Sequence, residues 1–486
     1  MKIGIDLGTT TSTVSVLEPN GKVRAEKPLD SLGAWRNGAI VFGEAAHRAL
    51  SHATEKSFPV RDLKLSLGNR DIKVGPNTVP TSDLVTEMLK FLARQVAGDA
   101  PIREAIIGTP VNVSGKHREA LLQSALNAGF ENVRLIYEPT AALVGAINPG
   151  RMSNDNTILV IDWGGGTLDL SIVRKSGDVL HELAVDGDVS VLGGSQMDER
   201  ILDLLIDNSP GVKAKLAAIP EGRDLLKIEI EIYKRQILTA DFPEDEDDVP
   251  IWPSWLDLDS AMTLSPSLIV DVITDMANEA VKRIHEFLYR SRISLPHLTH
   301  VLFAGGVSQC HIIRNLLINS FPDVEVIETA IPQQLTGYGC GRLLQYGFQV
   351  QLASDFGVRQ SDNSFCRILP SGHDLGLGTY RSCDFFVTDP IAMEAAFDFG
   401  ILPSKGSVTS MISDNSDGFV SLGNMFLRCQ NSAGDLRGLS DLIKLYCGIT
   451  HSLAVTVYAE SNVAGDSKVQ SFTGLPLMIR LDGLEP

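Results

Sequence analysis

The chain has 486 residues, of which 44% are hydrophobic and 21% are charged, so its composition is that of a folded globular protein. At roughly 150 residues per domain, this length suggests about three domains. The formal net charge of −18 disfavours a broad surface for nucleic acid or anionic lipid, because both are negatively charged. The sequence shows neither a long apolar run nor a signal-peptide pattern at its start, which favours a cytoplasmic location and no membrane partner.

Two segments of the sequence resemble each other. Residues 3–10 read IGIDLGTT and residues 159–167 read LVIDWGGGT, so each apolar run ends in aspartate, glycine and threonine. This pattern predicts a buried strand, a tight turn and a second strand, at residues 12–17 and 168–173. The repetition predicts a duplicated α/β lobe.

Helical and strand patterns alternate between and after these two segments. A helical stripe begins after Ser82 and is followed by a predicted strand at residues 105–108. A second long helix is predicted over residues 267–288, with a buried strand at 301–304. The alternation is typical of α/β architecture.

The pattern changes past about residue 350, where short alternating runs are separated by Gly, Ser, Asn and Asp. Leu453, Val455, Val457 and Ala459 share one face of a predicted strand. The last ~135 residues are therefore predicted to be all-β, and a sandwich is the usual architecture for a stretch of that length. The alternative is an edge extension of the first domain.

Two further features have more than one interpretation. The acidic run at residues 244–248 is either a metal cluster or a solvated loop, and the loop is preferred. The six cysteines show neither close pairs nor zinc-site spacing, so free thiols are expected. A disulfide among the four cysteines of the last 137 residues is the alternative.

The repeated turns carry groups suited to a nucleotide. Backbone N–H groups at glycines can cradle phosphate oxygens, and the strand-end carboxylates Asp6 and Asp162 can hold hydrated Mg²⁺. Two facing copies would hold a triphosphate from both sides. The sequence contains neither a P-loop nor a dinucleotide fingerprint, which excludes those two classes of nucleotide site.

The first 345 or so residues resemble the actin-like ATPase domain of the DnaK-type seventy-kilodalton heat-shock protein (chaperone) family. Five motifs match in order and spacing, namely residues 4–10, 64–68 (KLSLG), 108–110 (GTP) with Arg118, 138–142 (EPTAA) and 162–169 (DWGGGTLD). The resemblance implies a duplicated actin-like, ribonuclease H-like α/β domain over residues 1–345. Its two lobes would span residues 1–155 and 156–345.

The resemblance also implies roles for the acidic residues and one lysine. Asp6, Asp162 and Glu138 would order Mg²⁺ and its waters, and Lys64 would lie by the γ-phosphate and help place the attacking water. Asp169 matches a family carboxylate near the metal-bound water. Its alternative interpretation is a strand aspartate paired with a neighbouring cation.

Further positions match the family's phosphate contacts and its switch. Thr9 and Thr167 would contact phosphate, while Pro110 and Arg118 would report the nucleotide state to the second domain. The alternative for Arg118 is an ordinary surface arginine. The other implied phosphate-loop positions are Gly8, Thr10, Gly164, Gly165, Gly166, Gly193 and Gly194.

The adenosine side matches the family only in part. The matching positions, which would pack on the base and ribose, are Glu231, Lys234, Arg235, Gly305 and Gly306. The departures, where the family has Ser, Ser and Arg, are Leu238, Val307 and Gln309. At roughly 1 kcal/mol for each lost contact, ATP affinity is expected to fall by about one to two decades, with weaker base selectivity.

The tail, residues 354–486, loosely resembles the family's peptide-binding sandwich and follows a short predicted linker at 346–353. The family's leucine-rich acidic linker and helical lid are missing, so a lidless variant with fast peptide release is expected. Five phenylalanines are interpreted as sandwich core, with a peptide groove as the alternative, namely Phe356, Phe385, Phe386, Phe397 and Phe399.

The resemblance implies slow, Mg²⁺-dependent hydrolysis of ATP to ADP and phosphate, with the nucleotide state controlling how the tail binds unfolded or extended polypeptide. A J-domain co-chaperone and a nucleotide-exchange factor are the further partners expected, and no nucleic acid. One alternative is a nucleotide-binding scaffold or regulatory protein with little or no hydrolysis. Another is an actin-like filament former.

Overall fold

The computed structural model describes the chain from residue 1 to residue 483 with several gaps. The undescribed residues are 52–56, 148–154, 189–191, 210, 220, 240–248, 259, 374–379, 388–392, 403–411, 414–417, 430–440 and 484–486. The acidic run at 244–248 therefore lies outside the described residues. Among the helices that are described, none is both long and apolar enough to cross a membrane.

Strands and helices alternate along the first part of the chain, whereas the described residues of the last part form strands without helices. The strands up to residue 188 are β1 (Lys2–Asp6), β2 (Thr11–Leu17), β3 (Val23–Ala25), β4 (Leu29–Asp30), β5 (Gly33–Arg36), β6 (Ala39–Phe42), β7 (Ser57–Val60), β8 (Ile72–Val74), β9 (Asn77–Val79), β10 (Glu104–Thr109), β11 (Val133–Tyr137), β12 (Asn156–Trp163), β13 (Leu168–Ser176) and β14 (Val179–Asp188). The later strands are β15 (Val249–Ile251), β16 (Met262–Leu264), β17 (His300–Ala304), β18 (Glu325–Ile327), β19 (Phe348–Leu352), β20 (Asp355–Arg359), β21 (Phe365–Leu369), β22 (Tyr380–Phe386), β23 (Glu394–Leu402), β24 (Ile412–Ser413), β25 (Val420–Arg428), β26 (Leu442–Ile449), β27 (Val455–Ser461), β28 (Ser467–Phe472) and β29 (Leu477–Leu481). The helices are α1 (Glu44–Ser51), α2 (Leu63–Ser66), α3 (Thr81–Ala97), α4 (Gly115–Asn127), α5 (Glu138–Ala146), α6 (Gly194–Asp207), α7 (Val212–Ala217), α8 (Gly222–Thr239), α9 (Pro266–Arg290), α10 (His311–Asn319) and α11 (Leu335–Tyr346).

The chain divides into two compact units. Unit 1 consists of Met1–Val173 and Asp186–Tyr346, and unit 2 consists of Arg174–Val185 and Gly347–Leu484. Unit 1 therefore differs from the predicted first domain, residues 1–345, by the segment 174–185. That segment contains the turn between β13 and β14, and residues 179–181 of β14 pair with the distant strand β29.

Unit 1 contains the same sheet arrangement twice. In the first sheet the order is β11-β10-β1-β2-β3, with β10 parallel to β1 and β2 antiparallel to it. In the second, which has seven strands, the order begins β18-β17-β12-β13, with β17 parallel to β12. The strand, turn and strand predicted twice from the sequence are confirmed as β1–β2 and β12–β13.

Apolar burial explains these elements. Every residue of β12 is buried, as expected for a strand covered on both faces. The predicted helices after Ser82 and over 267–288 are confirmed as α3 and α9, each of which buries one apolar stripe. The predicted strands at 105–108 and 301–304 are confirmed as β10 and β17.

Unit 2 contains a five-stranded sheet, β24-β21-β20-β23-β25, and a four-stranded sheet, β22-β26-β27-β28. Residues of both sheets share one hydrophobic core. The rings of Phe356, Phe399 and Phe472 pack there with centroids 5.2–5.9 Å apart. The all-β tail is confirmed by these strands.

Most of the five phenylalanines singled out in the tail pack in the hydrophobic core of unit 2. Phe356, Phe397 and Phe399 are buried, and Phe385 packs against the same core. Phe386 is 65% exposed, so the core interpretation is wrong for that residue, because its side chain alternates to the outer face of β22. Leu453, predicted within a strand, lies in the turn before β27 with a φ of 55°.

The linker predicted at 346–353 is wrong, because Phe348–Leu352 forms strand β19. The C-terminal strand β29 pairs antiparallel with β19 on one side and with Val179–His181 of β14 on the other. The buried carboxylate of Glu182 accepts a hydrogen bond from the backbone N–H of Leu477 at 2.7 Å. Segments separated by almost 300 residues thus meet in one ladder of unit 2.

Strand β29 provides a stability test. Ile479 is fully buried, so Ile479→Ala is expected to lower the free energy of unfolding by about 2–5 kcal/mol. The neighbouring exposed Arg480 is the control, and Arg480→Ala is expected to change it by less than about 0.5 kcal/mol. Urea denaturation of both variants makes the comparison. Equal, small effects would show that β29 is not packed as described.

Candidate functional site

A cleft of about 510 Å³ lies in unit 1, where the carboxyl ends of β1 and β12 meet the turns that follow them. Such strand ends are the usual ligand-binding edge of a sheet with parallel strands. The predicted site residues that line the cleft are Asp6, Gly8, Thr9, Thr10, Lys64, Glu138, Asp162, Gly164, Gly165, Gly166, Thr167, Gly194, Glu231, Lys234, Arg235, Gly305 and Gly306. Gly193 and Asp169 are not among the lining residues.

The turn after β12 approaches the turn after β1 so closely that Gly165 and Gly166 have no room for a side chain. A Cβ atom at Gly166 would lie 2.1 Å from the hydroxyl oxygen of Thr9, and one at Gly165 would lie 2.4 Å from that of Thr10. The N-terminus of α6 joins them, because the Ser195 N–H donates to the Gly165 carbonyl at 2.7 Å. The Gly164–Gly166 turn thus packs directly on Thr9 and Thr10 and presents backbone without side chains to the cleft.

One buried ion pair lies at the floor of the cleft. Lys64 Nζ is 2.6 Å from Glu138 Oε1, and both side chains are almost completely buried. Burial alone would lower the pKa of Lys64, but the carboxylates of Glu138 and Asp6 outweigh it and the pKa is raised. Lys64 is therefore a permanent cation at neutral pH.

The carboxylates around Lys64 repel one another. Burial, with the negative charges of Asp6 and Asp169, raises the pKa of Asp162 to about 7. The hydroxyl of Thr336 donates to Asp162 Oδ2 at 3.1 Å and offsets only part of this effect. One ammonium group thus faces several buried carboxylates, so the site has an excess of negative charge.

The excess of negative charge in the cleft would suit a bound, hydrated cation. The described residues include no set of three acidic, histidine or cysteine side chains close enough to ligate a metal ion directly. A hard ion such as Mg²⁺ keeps most of its waters, so carboxylates at greater distance still suit it. The residues of the chain that would hold such an ion through water are Asp6, Glu138 and Asp162.

Asp169 and Arg118 lie behind the cleft. Asp169 is buried, and its Oδ1 accepts the backbone N–H of Val111 at 2.9 Å rather than a side-chain cation. Arg118 donates to the carbonyl of Val111 at 2.6 Å and packs over the ring of Tyr137. Arg118 is 0% exposed, so its interpretation as a surface arginine is wrong.

Helix α8 brings Glu231, Lys234 and Arg235 to the far end of the cleft. Each of these charged side chains forms an ion pair with another residue of the chain. Lys234 Nζ donates to the Gly194 carbonyl at 2.9 Å and is 2.6 Å from Asp198. Arg235 binds Glu231 at 2.6 Å and Asp30 at 3.1 Å. The side chain of Leu238 lies outside the part of the chain that the structure describes.

The departures from the family pattern line the same end. Val307 and Gln309 contribute to the cleft wall, as predicted from the sequence, together with Cys310 and Gln333. Gly305 has a φ of 82°, and a Cβ there would lie 2.3 Å from the Trp163 carbonyl oxygen. This end of the cleft is therefore lined by neutral groups at these positions.

Sequence reasoning missed residues that act over long separations. Arg61 forms an ion pair with Glu231 at 2.7 Å across 170 positions, and Thr336 reaches Asp162 across 174. Neither residue belongs to a local motif. The one local signal was that Arg61 lies three residues before Lys64, which placed it near a predicted site residue.

Residues 64–341 match the family model described as Hsp70 protein, which is more than half of the chain. The chain belongs to the Hsp70 family. Its relatives include the chaperone protein DnaK of Mycoplasmoides gallisepticum, 25% identical over 69% of this chain and 58% of that protein. DnaK of Thermosipho melanesiensis is 26% identical over 66% of this chain and 55% of that protein.

A third relative, DnaK of Metamycoplasma hominis, is 34% identical over 42% of this chain and 35% of that protein. The chain therefore spans only about half the length of the two relatives named first, from Mycoplasmoides gallisepticum and Thermosipho melanesiensis. Membership of the Hsp70 family agrees with the mixed α/β structure of unit 1. The family predicted from the motifs is confirmed.

The raised pKa of Asp162 makes the stability of this Hsp70 family member pH-dependent. The folded chain holds that proton up to about pH 7 and the unfolded chain only to about 3.8, so nucleotide-free stability falls as pH rises between them. Asp162→Asn is expected to stabilise the free protein at pH 8, by up to roughly 4 kcal/mol, and far less at pH 5. Urea denaturation in EDTA at both pH values measures this.

The matched control is Asp323→Asn, which changes an exposed aspartate of unit 1. This control is expected to leave the stability difference between pH 5 and pH 8 unchanged. An Asp162→Asn effect of equal size at both pH values would contradict the assigned pKa.

Proposed function

We propose that unit 1 is an actin-like, duplicated ATPase domain that hydrolyses ATP slowly to ADP and phosphate with Mg²⁺. The observation that carries this proposal is the close contact between the Gly–Thr turns after β1 and β12, which line one cleft with Lys64 and an excess of carboxylates. Backbone N–H groups bind phosphate oxygens, and the carboxylates suit a hydrated cation. The family match supports the same chemistry.

The roles of the residues follow from the requirements of phosphoryl transfer, in which positioning and charge stabilisation do most of the work. Lys64, held by Glu138, offsets the negative charge that spreads over the transferred group. The turns at Gly8–Thr10 and Gly164–Thr167 hold the phosphates, with the hydroxyls of Thr9 and Thr167 as further donors. Bound Mg²⁺ would neutralise phosphate charge and order the attacking water.

Two groups behind the cleft complete the proposed mechanism. Asp169 is assigned to orienting the attacking water, because its buried carboxylate lies behind the cleft beside Thr167. Pro110 and Arg118 transmit the nucleotide state, because Arg118 donates to the carbonyls of Pro110 and Val111 while Asp169 accepts from Val111. Asp169 and the switch thus share one peptide segment.

The base end of the cleft supports weaker and less selective adenine binding. Val307 and Gln309 offer no cation to stack on a base, and the guanidinium of Arg235 is engaged by Asp30 and Glu231. Gly305 and Gly306 shape this end, while Lys234 braces α6 rather than the ligand. Gly193 and Gly194 lie against the Gly164–Gly166 turn and belong to the proposed phosphate loops. Affinity is therefore expected to come mainly from the phosphates.

We further propose a chaperone role, in which the all-β unit binds unfolded or extended polypeptide under control of the nucleotide. The edge strand β22 supports this, because among the described strands it pairs with β26 alone, and it carries the exposed Tyr380 and Phe386. An edge strand offers main-chain hydrogen bonds to an extended segment. A J-domain co-chaperone, a nucleotide-exchange factor and a cytoplasmic location belong to the same proposal.

The hydrolysis assignment is tested with Lys64→Ala and Thr167→Ala. Each is expected to reduce the rate of ATP hydrolysis by about 100-fold or more, because each removes a group that stabilises the charge of the transition state. Phosphate release under single-turnover conditions measures the rate. The control is Lys227→Ala, since Lys227 lies on the same helix as Lys234 but pairs with Glu199 outside the cleft.

Calorimetry with a non-hydrolysable ATP analogue separates the ATPase from the nucleotide-binding scaffold. Analogue binding together with wild-type hydrolysis that both variants lose supports the ATPase. Analogue binding without phosphate release by the wild type would favour the nucleotide-binding scaffold. Unchanged turnover in both variants would show that the site is assigned to the wrong residues.

A further inference from the structure

Two cysteine thiols of unit 2 lie side by side. The Sγ atoms of Cys366 on β21 and Cys383 on β22 are 3.9 Å apart, at van der Waals contact. Cys366 is 6% exposed, while Cys383 is half-buried and so accessible to a small reagent. Both residues are free thiols in the structure.

The pair joins different sheets. Strand β21 belongs to the five-stranded sheet and β22 is the edge of the four-stranded sheet. Cys366 is opposite Val358 in its ladder and Cys383 is opposite Leu445, and both of these partners belong to the shared core. Side chains opposite each other lie on the same face, so both thiols point into the sandwich interior.

The surroundings of the pair distinguish the two sulfurs chemically. A hydrogen bond from the Cys366 thiol lowers the pKa of Cys383 to about 7, while the same contact raises that of Cys366. The thiolate is the reactive form of cysteine. Because Cys383 is the more exposed of the two residues, it is the thiol that meets an oxidant, and the buried Cys366 is the thiol that reacts with the oxidised sulfur.

We infer that Cys366 and Cys383 form a reversible disulfide when the protein meets a hydroperoxide, so that oxidation ties the edge strand β22 to the opposite sheet. The Cys383 thiolate attacks a peroxide oxygen, the O–O bond breaks, and a sulfenic acid and hydroxide form. Cys366 sulfur then attacks that sulfenic sulfur, and its proton leaves with the hydroxyl as water. Two thiols lose two electrons, and hydrogen peroxide becomes two waters.

A third thiol provides an internal comparison. Cys447 on β26 is fully buried and lies opposite Arg381, two residues from Cys383 along β22. Burial raises the pKa of Cys447, so it remains a thiol at neutral pH. The pairing is assigned to Cys366 rather than Cys447 because the Sγ atom of Cys366 is the one in contact with that of Cys383, at 3.9 Å.

The test uses the full chain, reduced, freed of reductant and treated with hydrogen peroxide. Thiol titration in denaturant is expected to fall from six free cysteines to four, and a small dithiol is expected to restore six. Trypsin cuts after Arg367 and Arg381, so a cross-linked peptide containing Cys366 and Cys383 identifies the bond by mass. The oxidised protein is expected to melt several degrees higher, because the link restricts the unfolded chain.

Two variants make the result specific. Cys447→Ala is expected to form the same disulfide, whereas Cys366→Ala is expected to form none and to leave a sulfenic acid at Cys383 that dimedone traps. The wild-type peptide map decides the question even if a variant folds poorly. Six remaining thiols after peroxide treatment, or a link from Cys383 to Cys447, would overturn the inference.

Discussion

The close approach of the two glycine turns is the constraint on which the proposed site depends. A Cβ atom at Gly165 or Gly166 would overlap the hydroxyls of Thr10 and Thr9, so these positions accept no other residue without movement of the turns. The turns follow β1 and β12, which carry Asp6 and Asp162 to the same cleft. Sheet geometry therefore brings bare backbone and carboxylates together.

Charge gives the cleft its second property. Lys64 is the cation that pairs with Glu138 there, and the negative charges of Asp6 and Asp169 further raise its pKa. Asp162 also interacts with the charge of Lys64. The protein holds these carboxylates buried at a cost in stability, which is why the pKa of Asp162 is raised to about 7. Repulsion among buried carboxylates is typical of a functional site, because a bound cation would relieve that repulsion.

Local patterns made part of the structure predictable. The strand–Asp–Gly–Thr pattern predicted both hairpins, because turn and strand are set by neighbouring residues, and helix α9 was predictable from its single apolar stripe. The alternation in Phe348–Leu352 did not reveal a strand, because a strand also requires a partner and that partner is β29. The pairing of Arg61 with Glu231 was unpredictable for the same reason, since no local pattern records it.

The most direct test of the central claim is calorimetric titration of ADP into the full chain, with Mg²⁺ and with EDTA. The carboxylates of the cleft repel a bare diphosphate, so we predict a single site whose affinity falls at least about tenfold when Mg²⁺ is removed. Affinity that is the same in EDTA, or no saturable binding in Mg²⁺, would contradict a site built to hold a nucleotide with its metal ion.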